Sequence, residues 1–411
     1  MQPIYLDHNA TTPTLPGVWE AMRDAPPGNP SSAHAAGRKA RQALDDARER
    51  VAALLGAHPD EVTFTSGATE ANNLAILGLV QRQPHPPAPF PLREGGAGVT
   101  PPSEEGVAGG TLGSLSRTGK VVAGLGSCFA SLIEHPCVIE PLRRLEARGV
   151  PVEWLPVDAR GVVCAAPHAA ALVCLMLANH ETGAVQPVRD VARALPPGAH
   201  LHCDAVQAVG KIAVRFHELG ATTLSASAHK FGGPKGIGVL LVKRGTELVP
   251  LTFGGHQQKG RRPGTEPVAL AVGMAVALEL ATRDLLENRA KLEALRGRLW
   301  SGLHRLCGPV VLNGPEIGAA DVVPTTLNVS FPGCRADLLL MALDLASVAC
   351  STGSACSSGS LLPSPVLRAM GVPDEVLRSA LRFSFAPAQP VEEIDEALRR
   401  IAECVGRVRG G

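Results

Sequence analysis

Between Thr63 and Lys243 the chain alternates short, largely apolar runs with stretches of helical periodicity. Val62–Thr65, Ala171–Leu177, His200–Cys203 and Gly238–Val242 are the clearest runs, and they offer little polar surface to water. A strand that is apolar on both faces has to be covered on both. When helices separate consecutive strands, the economical solution is a mostly parallel sheet between two helical layers. The sequence therefore predicts an α/β fold. After about Glu287 the texture changes: a long helix over Asn288–Leu306 is followed by a shorter strand-and-helix alternation. The expected organisation is a large domain over residues 16–286 and a small α+β domain made of residues 1–15 and 287–411. Pro84–Lys120 carries Pro-Pro, Gly-Gly and Glu-Glu pairs with little periodic apolar content. It reads as a disordered surface insertion rather than a lid.

Composition narrows the function classes. With 45% hydrophobic and 19% charged residues the chain belongs among globular proteins. A formal net charge of +1 gives no overall field to attract nucleic acid. No apolar run reaches the roughly 18 residues of a membrane span. The start, Met1–Asp7, lacks the basic region and apolar stretch of a signal peptide, so a cytoplasmic protein is expected. The cysteines show no CxxC pair or metal-like spacing. In a reducing compartment most of them read as buried, free thiols, including Cys128, Cys137, Cys164, Cys174, Cys203, Cys307, Cys334, Cys350 and Cys404.

Several segments carry chemistry. In Ser225–Gly236 a small-residue strand ends in His229-Lys230 and breaks into a glycine-rich loop. A lysine at that end of a strand faces the crevice where α/β sheets bind ligands, and desolvation there suits it to Schiff-base chemistry. Alone it could equally be a surface lysine. One strand earlier, His202–Gln207 sets Asp204 at the same edge of the sheet, where a carboxylate can keep a cofactor's ring nitrogen protonated. Alone, Asp204 could be a helix N-cap. Thr65–Asn73 reads as strand, glycine turn and helix start, a cradle for an anion or an ordinary capping motif. His135 follows a candidate strand and could stack on a ring and move protons, or be structural. In Ser351–Ser360 every residue except Cys356 is Ser, Thr, Gly or Ala. That segment has little to pack and should be mobile, presenting an accessible thiol.

Taken together, these segments resemble the cysteine desulfurase family, class V aminotransferase-type enzymes of pyridoxal-phosphate fold type I. The resemblance runs from Tyr5–Thr12 and Asn29–His34 through the Ser66–Glu70 turn, Ala178–Gly183, the Asp204 and Lys230 motifs and Arg262–Thr265. It ends with the Cys356 loop, Val366–Gly371 and Leu381–Ser384. It implies pyridoxal 5'-phosphate attached to Lys230, with Asp204 on the ring nitrogen and Gln207 and Asn179 on the hydroxyl side. His135 would stack on the ring, and Ala68, Thr69, Ser227 and His229 would hold the phosphate. A partner subunit's threonine maps onto Thr265 and implies a homodimer. Arg382 matches the substrate-carboxylate arginine. Cys356 would take sulfur from L-cysteine as a persulfide, releasing alanine, and pass it to an acceptor protein, the long loop pointing to iron–sulfur scaffolds. The chain departs from the family pattern at three places. His180 stands for a second asparagine, Ser384–Pro390 replaces a Gly-Arg-Phe-type continuation, and Pro84–Lys120 is inserted. A selenocysteine lyase, another class V aminotransferase or a carbon–sulfur lyase shares most of these features, but transamination has no use for a mobile thiol. A non-catalytic scaffold would be expected to have lost Lys230, Asp204 or Cys356.

Overall fold

A computed structural model describes residues 2–80, 127–165, 167, 170–352 and 363–410. The Pro84–Lys120 reading and the Cys356 loop lie outside these residues. In chain order the strands are β1 (Ile4–Tyr5), β2 (Val62–Thr65), β3 (Cys128–Ser131), β4 (Val152–Leu155), β5 (Leu172–Cys174) and β6 (His200–Asp204). They continue with β7 (Thr223–Ser227), β8 (Gly238–Val242), β9 (Val311–Leu312), β10 (Thr326–Ser330), β11 (Val348–Ala349) and β12 (Ala380–Ser384).

Strands β2 to β8 form a seven-stranded sheet in the order β2-β8-β7-β6-β5-β3-β4. β8 runs antiparallel to both of its neighbours, and the other pairs are parallel. The mostly parallel α/β expectation holds, with one reversed strand. Every residue of β2, β3, β5, β7 and β8 is buried, as two-sided helical cover requires, whereas the edge strand β4 is partly exposed. The Ala171–Leu177 run is strand only to Cys174. Beyond it, the Leu175 and Leu177 N–H groups donate to the His202 and Asp204 carbonyls at 3.0 and 2.8 Å, so the run still pairs with β6 up to the sheet edge.

Two large apolar clusters separate along the chain. One gathers Phe64, Val173, Leu201, Phe216, Leu241 and Leu278 around the seven-stranded sheet. The other gathers Leu6, Leu299, Phe331, Phe383 and Ile401 around the antiparallel sheet β12-β10-β9. The long helix predicted over Asn288–Leu306 spans Leu285–Cys307 and packs against the last helix, Val391–Gly410. The N-terminal segment belongs to the second cluster through Ile4 and Leu6, and β1 pairs with β11. The cysteines divide less uniformly than expected. Cys128, Cys174, Cys203, Cys307, Cys334 and Cys404 are buried, Cys350 is half-buried, and Cys164 is exposed. Among the described residues, no helix is long and apolar enough to cross a membrane.

Candidate active site

At the carboxyl ends of the parallel strands lies a cavity of about 590 Å³. Its wall takes Ser66 to Glu70 from the turn after β2, His135 and Cys137 from the turn after β3, and Asp204, Val206 and Gln207 after β6. Ser227, His229 and Lys230 come from the end of β7, and Ala10 and Thr11 from the N-terminal segment. Loops leaving several strands at one edge converge here because parallel strands all end on the same side.

Lys230 sits in a single 3-10 turn, Ala228–Lys230, directly after β7. Its Nζ donates to the Asn9 and Ala10 carbonyls at 2.7 and 3.0 Å. The same Asn9 carbonyl accepts from Gln207 Nε2 at 3.1 Å, and the Asn9 side-chain oxygen accepts from Lys211 Nζ at 2.9 Å. Burial, and then the Lys230 and Arg382 charges, push the Lys211 amine well below the ordinary lysine value. Two amines, Lys211 and Lys230, thus share one polar hub, Asn9.

Asp204 is buried, with Oδ1 accepting from the Val206 N–H at 3.0 Å and Oδ2 from Asn72 Nδ2 at 2.8 Å. The bond to Val206 closes an Asx-type turn and not a helix N-cap, since turns follow β6, and Asp204 also lines the cavity. Asn72 gives its NH2 to Asp204 and so turns its oxygen to His202 Nε2, 3.0 Å away. His202 therefore carries its proton on Nε2 and accepts at Nδ1 from the Thr223 hydroxyl at 2.9 Å. Burial lowers its pKa to about 3, which keeps the ring neutral.

Ala68 and Thr69 open the helix Ala68–Val80, whose first-turn N–H groups have no partner within the helix. Ser227 and His229 face the same end of the cavity. Burial, then Lys230, lowers His229 to about 4. Gly238, at the start of β8, has to be glycine: an added Cβ would stand 2.7 Å from both the Gly67 backbone and the Ala226 carbonyl. His135 is the N-cap of the helix Pro136–Glu146, its Nδ1 accepting from the Cys137 N–H at 3.2 Å. That bond leaves Nε2 to carry the proton of the neutral ring. Burial is the main force lowering its pKa, followed by opposing effects of Asp204 and Lys230. His180 meets His135 edge-on with centroids 5.5 Å apart, and burial keeps it neutral as well.

The remaining sequence candidates lie around this wall. The Asn179 side-chain oxygen accepts from the Glu181 and Thr182 N–H groups at 2.9 and 3.0 Å, and its NH2 donates to the Ile133 carbonyl at 3.2 Å. Arg382 on β12 pairs with Asp7 at 2.7 Å and donates to the His180 carbonyl at 3.1 Å, and its buried Nε has no partner among the described residues. Thr265 is exposed on a loop that the Arg262–Glu70 ion pair, 2.9 Å, ties to the anion cradle. Both flanks of the Cys356 segment are fixed beside this rim. Ser351 exchanges backbone hydrogen bonds with Arg382 at 3.1 and 2.6 Å, and Ser364 Oγ donates to Glu181 at 2.6 Å.

Five participants were not read from sequence. His202 stands two residues before Asp204 and so on the same face of β6, and Asn72 is one helical turn past Ala68. Those spacings were usable signals. Asn9 gave none beyond its motif. Glu134 is a buried acid whose Oε1 accepts from Ser131 Oγ at 2.5 Å and the Met176 N–H at 2.9 Å, and burial raises it to about 8. Cys137, read as packing, in fact lines the cavity with Sγ 2.9 Å from His135 Nδ1. Its thiol is not a nucleophile there, because burial pushes its pKa far above the usual value.

The fold and this cavity define the class: an α/β enzyme scaffold with an amine, a carboxylate and an anion cradle at one sheet edge, matching the class-V aminotransferase family model over residues 4–87 and 123–397. Within that class, the chain belongs to the cysteine desulfurase family. It is 36% identical to cysteine desulfurase IscS of Dictyoglomus turgidum, covering 99% of this chain and 95% of that one. It is 38% identical to an IscS-like cysteine desulfurase of Mycobacterium tuberculosis, covering 98% and 97%. Among solved structures, a NifS-like protein superposes with a TM-score of 0.82 at 33% identity, covering 99% of this chain and all of that one.

Proposed function

We propose that the chain is a cysteine desulfurase that uses pyridoxal 5'-phosphate to move the sulfur of L-cysteine onto Cys356. The observation that carries this reading is the convergence of Lys230, Asp204 and the Ala68–Thr69 helix start on one cavity, with the flanks of the Cys356 segment bonded to Arg382 and Glu181, neighbours of the cavity-lining His180.

The donor set fits the cofactor. Asp204 supplies a buried carboxylate for a ring nitrogen, the helix start with Thr69, Ser227 and His229 supplies donors for a phosphate, and Lys230 supplies the amine. Gln207 would stand on the ring hydroxyl side and His135 would stack on the ring, whereas Asn179 lies behind the lining with its amide spent on the Glu181 and Thr182 N–H groups and the Ile133 carbonyl. When bound, the cofactor supplies an electron sink for charge left at the substrate α-carbon. The Lys230 amine would be the group to take the α-proton. Arg382 would hold the substrate carboxylate, exchanging its present bond to Asp7 for one to the substrate. The Cys356 thiolate would attack the substrate sulfur: an S–S bond forms as the C–S bond breaks, and the C–S pair stays on the carbon skeleton. That skeleton takes one proton from the sulfur side, where the Nε2–H of the neutral His135 is the donor. It takes the α-proton back from Lys230 and leaves as alanine. The persulfide passes to a protein acceptor of the iron–sulfur scaffold type. We further read the two apolar cores as two domains, the enzyme as a homodimer in which the partner subunit's Thr265 completes the phosphate site, and the cytoplasm as its compartment.

The test is direct. Purified protein should be yellow and yield alanine and sulfide from cysteine under reductant, with Cys356 gaining the mass of one sulfur atom. Cys356→Ser should keep the colour and lose sulfide release; release at the unaltered rate would overturn the assignment.

A further inference from the structure

At the opposite edge of the central sheet from the cavity, two imidazoles and a carboxylate gather outside the machinery described above. His58 precedes the 3-10 turn Pro59–Glu61 that leads into β2, and His217 lies in the short helix Phe216–Leu219 that precedes β7. One donor atom from each of His58, Glu61 and His217 lies within 4.8 Å of the others. His217 Nε2 and Glu61 Oε2 are 2.9 Å apart, and the two imidazole centroids are 5.2 Å apart.

Ligands about 2.0–2.2 Å from one ion stand roughly 3 Å from each other. The Glu61–His217 pair therefore already has the separation of neighbouring ligands. His58 is exposed, so turning its ring closes the rest of the gap without moving the backbone. The carboxylate is buried and held: Glu61 Oε1 accepts from the Arg244 N–H at 3.0 Å, and Oε2 from the His58 N–H at 2.8 Å. Backbone donors behind a ligand fix its direction, as the outer shell of a metal site does. The nearby Arg244 guanidinium is tied up by Asp60 at 2.7 Å, which offsets its charge towards an incoming cation.

We propose that His58, Glu61 and His217 form a binding site for a borderline divalent transition ion, Zn²⁺ in the first instance, with solvent completing the coordination. Two imidazoles and one carboxylate are a donor set such ions favour over Mg²⁺ or Ca²⁺. The ion would clamp the starts of β2 and β7. The far ends of those strands carry the anion cradle and Lys230, a strand's length away, so the site acts on stability rather than on the reacting groups.

The experiment uses metal-stripped holoenzyme titrated with Zn²⁺ and, for spectroscopy, Co²⁺, in the unaltered protein and in His58→Ala and His217→Ala. Both substitutions are at exposed positions and spare the buried Glu61. The unaltered protein should bind one ion per chain at this site and melt at a higher temperature with Zn²⁺. Each histidine variant should bind roughly ten-fold or more weakly and lose that rise, while retaining cysteine turnover. The Co²⁺ form should lack a thiolate-to-metal charge-transfer band. Equal affinity in the three proteins, or a thiolate band in the unaltered one, places the ion elsewhere and overturns the proposal.

Discussion

The polar groups beneath the two sides of the cavity are supported in different ways. On the carboxylate side, Asp204, Asn72, His202 and Thr223 are linked by bonds of 2.8, 3.0 and 2.9 Å. All of them belong to β6, β7 and the helix Ala68–Val80, within the core of the seven-stranded sheet. On the amine side, Asn9 takes Lys230, Gln207 and Lys211, but Asn9 itself hangs from the second core. Its Nδ2 donates to Thr326 Oγ1 at 2.8 Å, and its N–H donates to Ser384 Oγ at 2.9 Å. The carboxylate is framed inside one packed unit, where every partner is fixed by the same sheet. The amine is framed across two cores, so a displacement of β10 or β12 reaches Lys230 through the backbone of Asn9 and Ala10.

The largest effect should come from the amine itself. Lys230→Ala is expected to reduce turnover by about 10⁴-fold or to background, with an unchanged melting transition in the cofactor-free protein, checked by alanine release and calorimetry. Next comes a brace on the sheet side. Burial favours the neutral acid of Glu134, raising its pKa from 4.5 to about 8. Its contribution to stability is therefore complete below the ordinary carboxyl value and is lost as the pH rises through about 8. Glu134→Gln mimics the neutral acid, so it should gain on the unaltered protein by on the order of a few kcal/mol between pH 5 and 9, read from urea titrations. No relative gain would mean that Glu134 is ionised in the fold.

The two frames then separate by readout. Asn72→Ala leaves Asp204 short of a donor inside the sheet and should weaken cofactor retention by about 10–100-fold, measured by competition dialysis. Asn9→Ala should instead cost about 1–3 kcal/mol of stability and raise hydrogen exchange in β10 and β12 ahead of the sheet. If both variants lose cofactor and stability in the same proportion, the distinction between the frames fails. The smallest effect belongs to Cys137→Ala, since the backbone N–H of residue 137 still fixes the His135 tautomer. Its pH–rate profile should superimpose on the original within about 0.5 pH units.

Periodicity made the sheet legible: Val62–Thr65 and Gly238–Val242 coincide with β2 and β8, and the Asn288 helix is present. The reversal of β8 was not legible, because an apolar run carries no direction. β3 was legible only as a strand of unstated bounds before His135, since Cys128–Ser131 is short and mixed, and β4 was not named, since Val152–Leu155 is half-exposed at an edge. Around the site, residues at strand ends could be read because strand and turn signals place them. The partners contributed by distant segments, Asn9 to Lys211 and Arg382 to Asp7, depend on how two cores meet, which no local pattern encodes. Cys137 was misread because an apolar neighbourhood in sequence, between Pro136 and Val138, says nothing about the cavity one side chain away.

Because β8 is reversed, the chain returns from Lys230 to the sheet through a short loop, Phe231–Ile237, and not over a long helical crossover. It re-enters at Gly238, packed directly on Gly67. Anyone reshaping this pocket for a bulkier amino acid inherits that junction: lengthening the return or adding a methyl group at Gly238 shifts Lys230 and the glycine turn before Ala68 together. Room for a new substrate has to be found on the side of Ala10 and Thr11, a wall supplied by the N-terminal segment that packs on the second core.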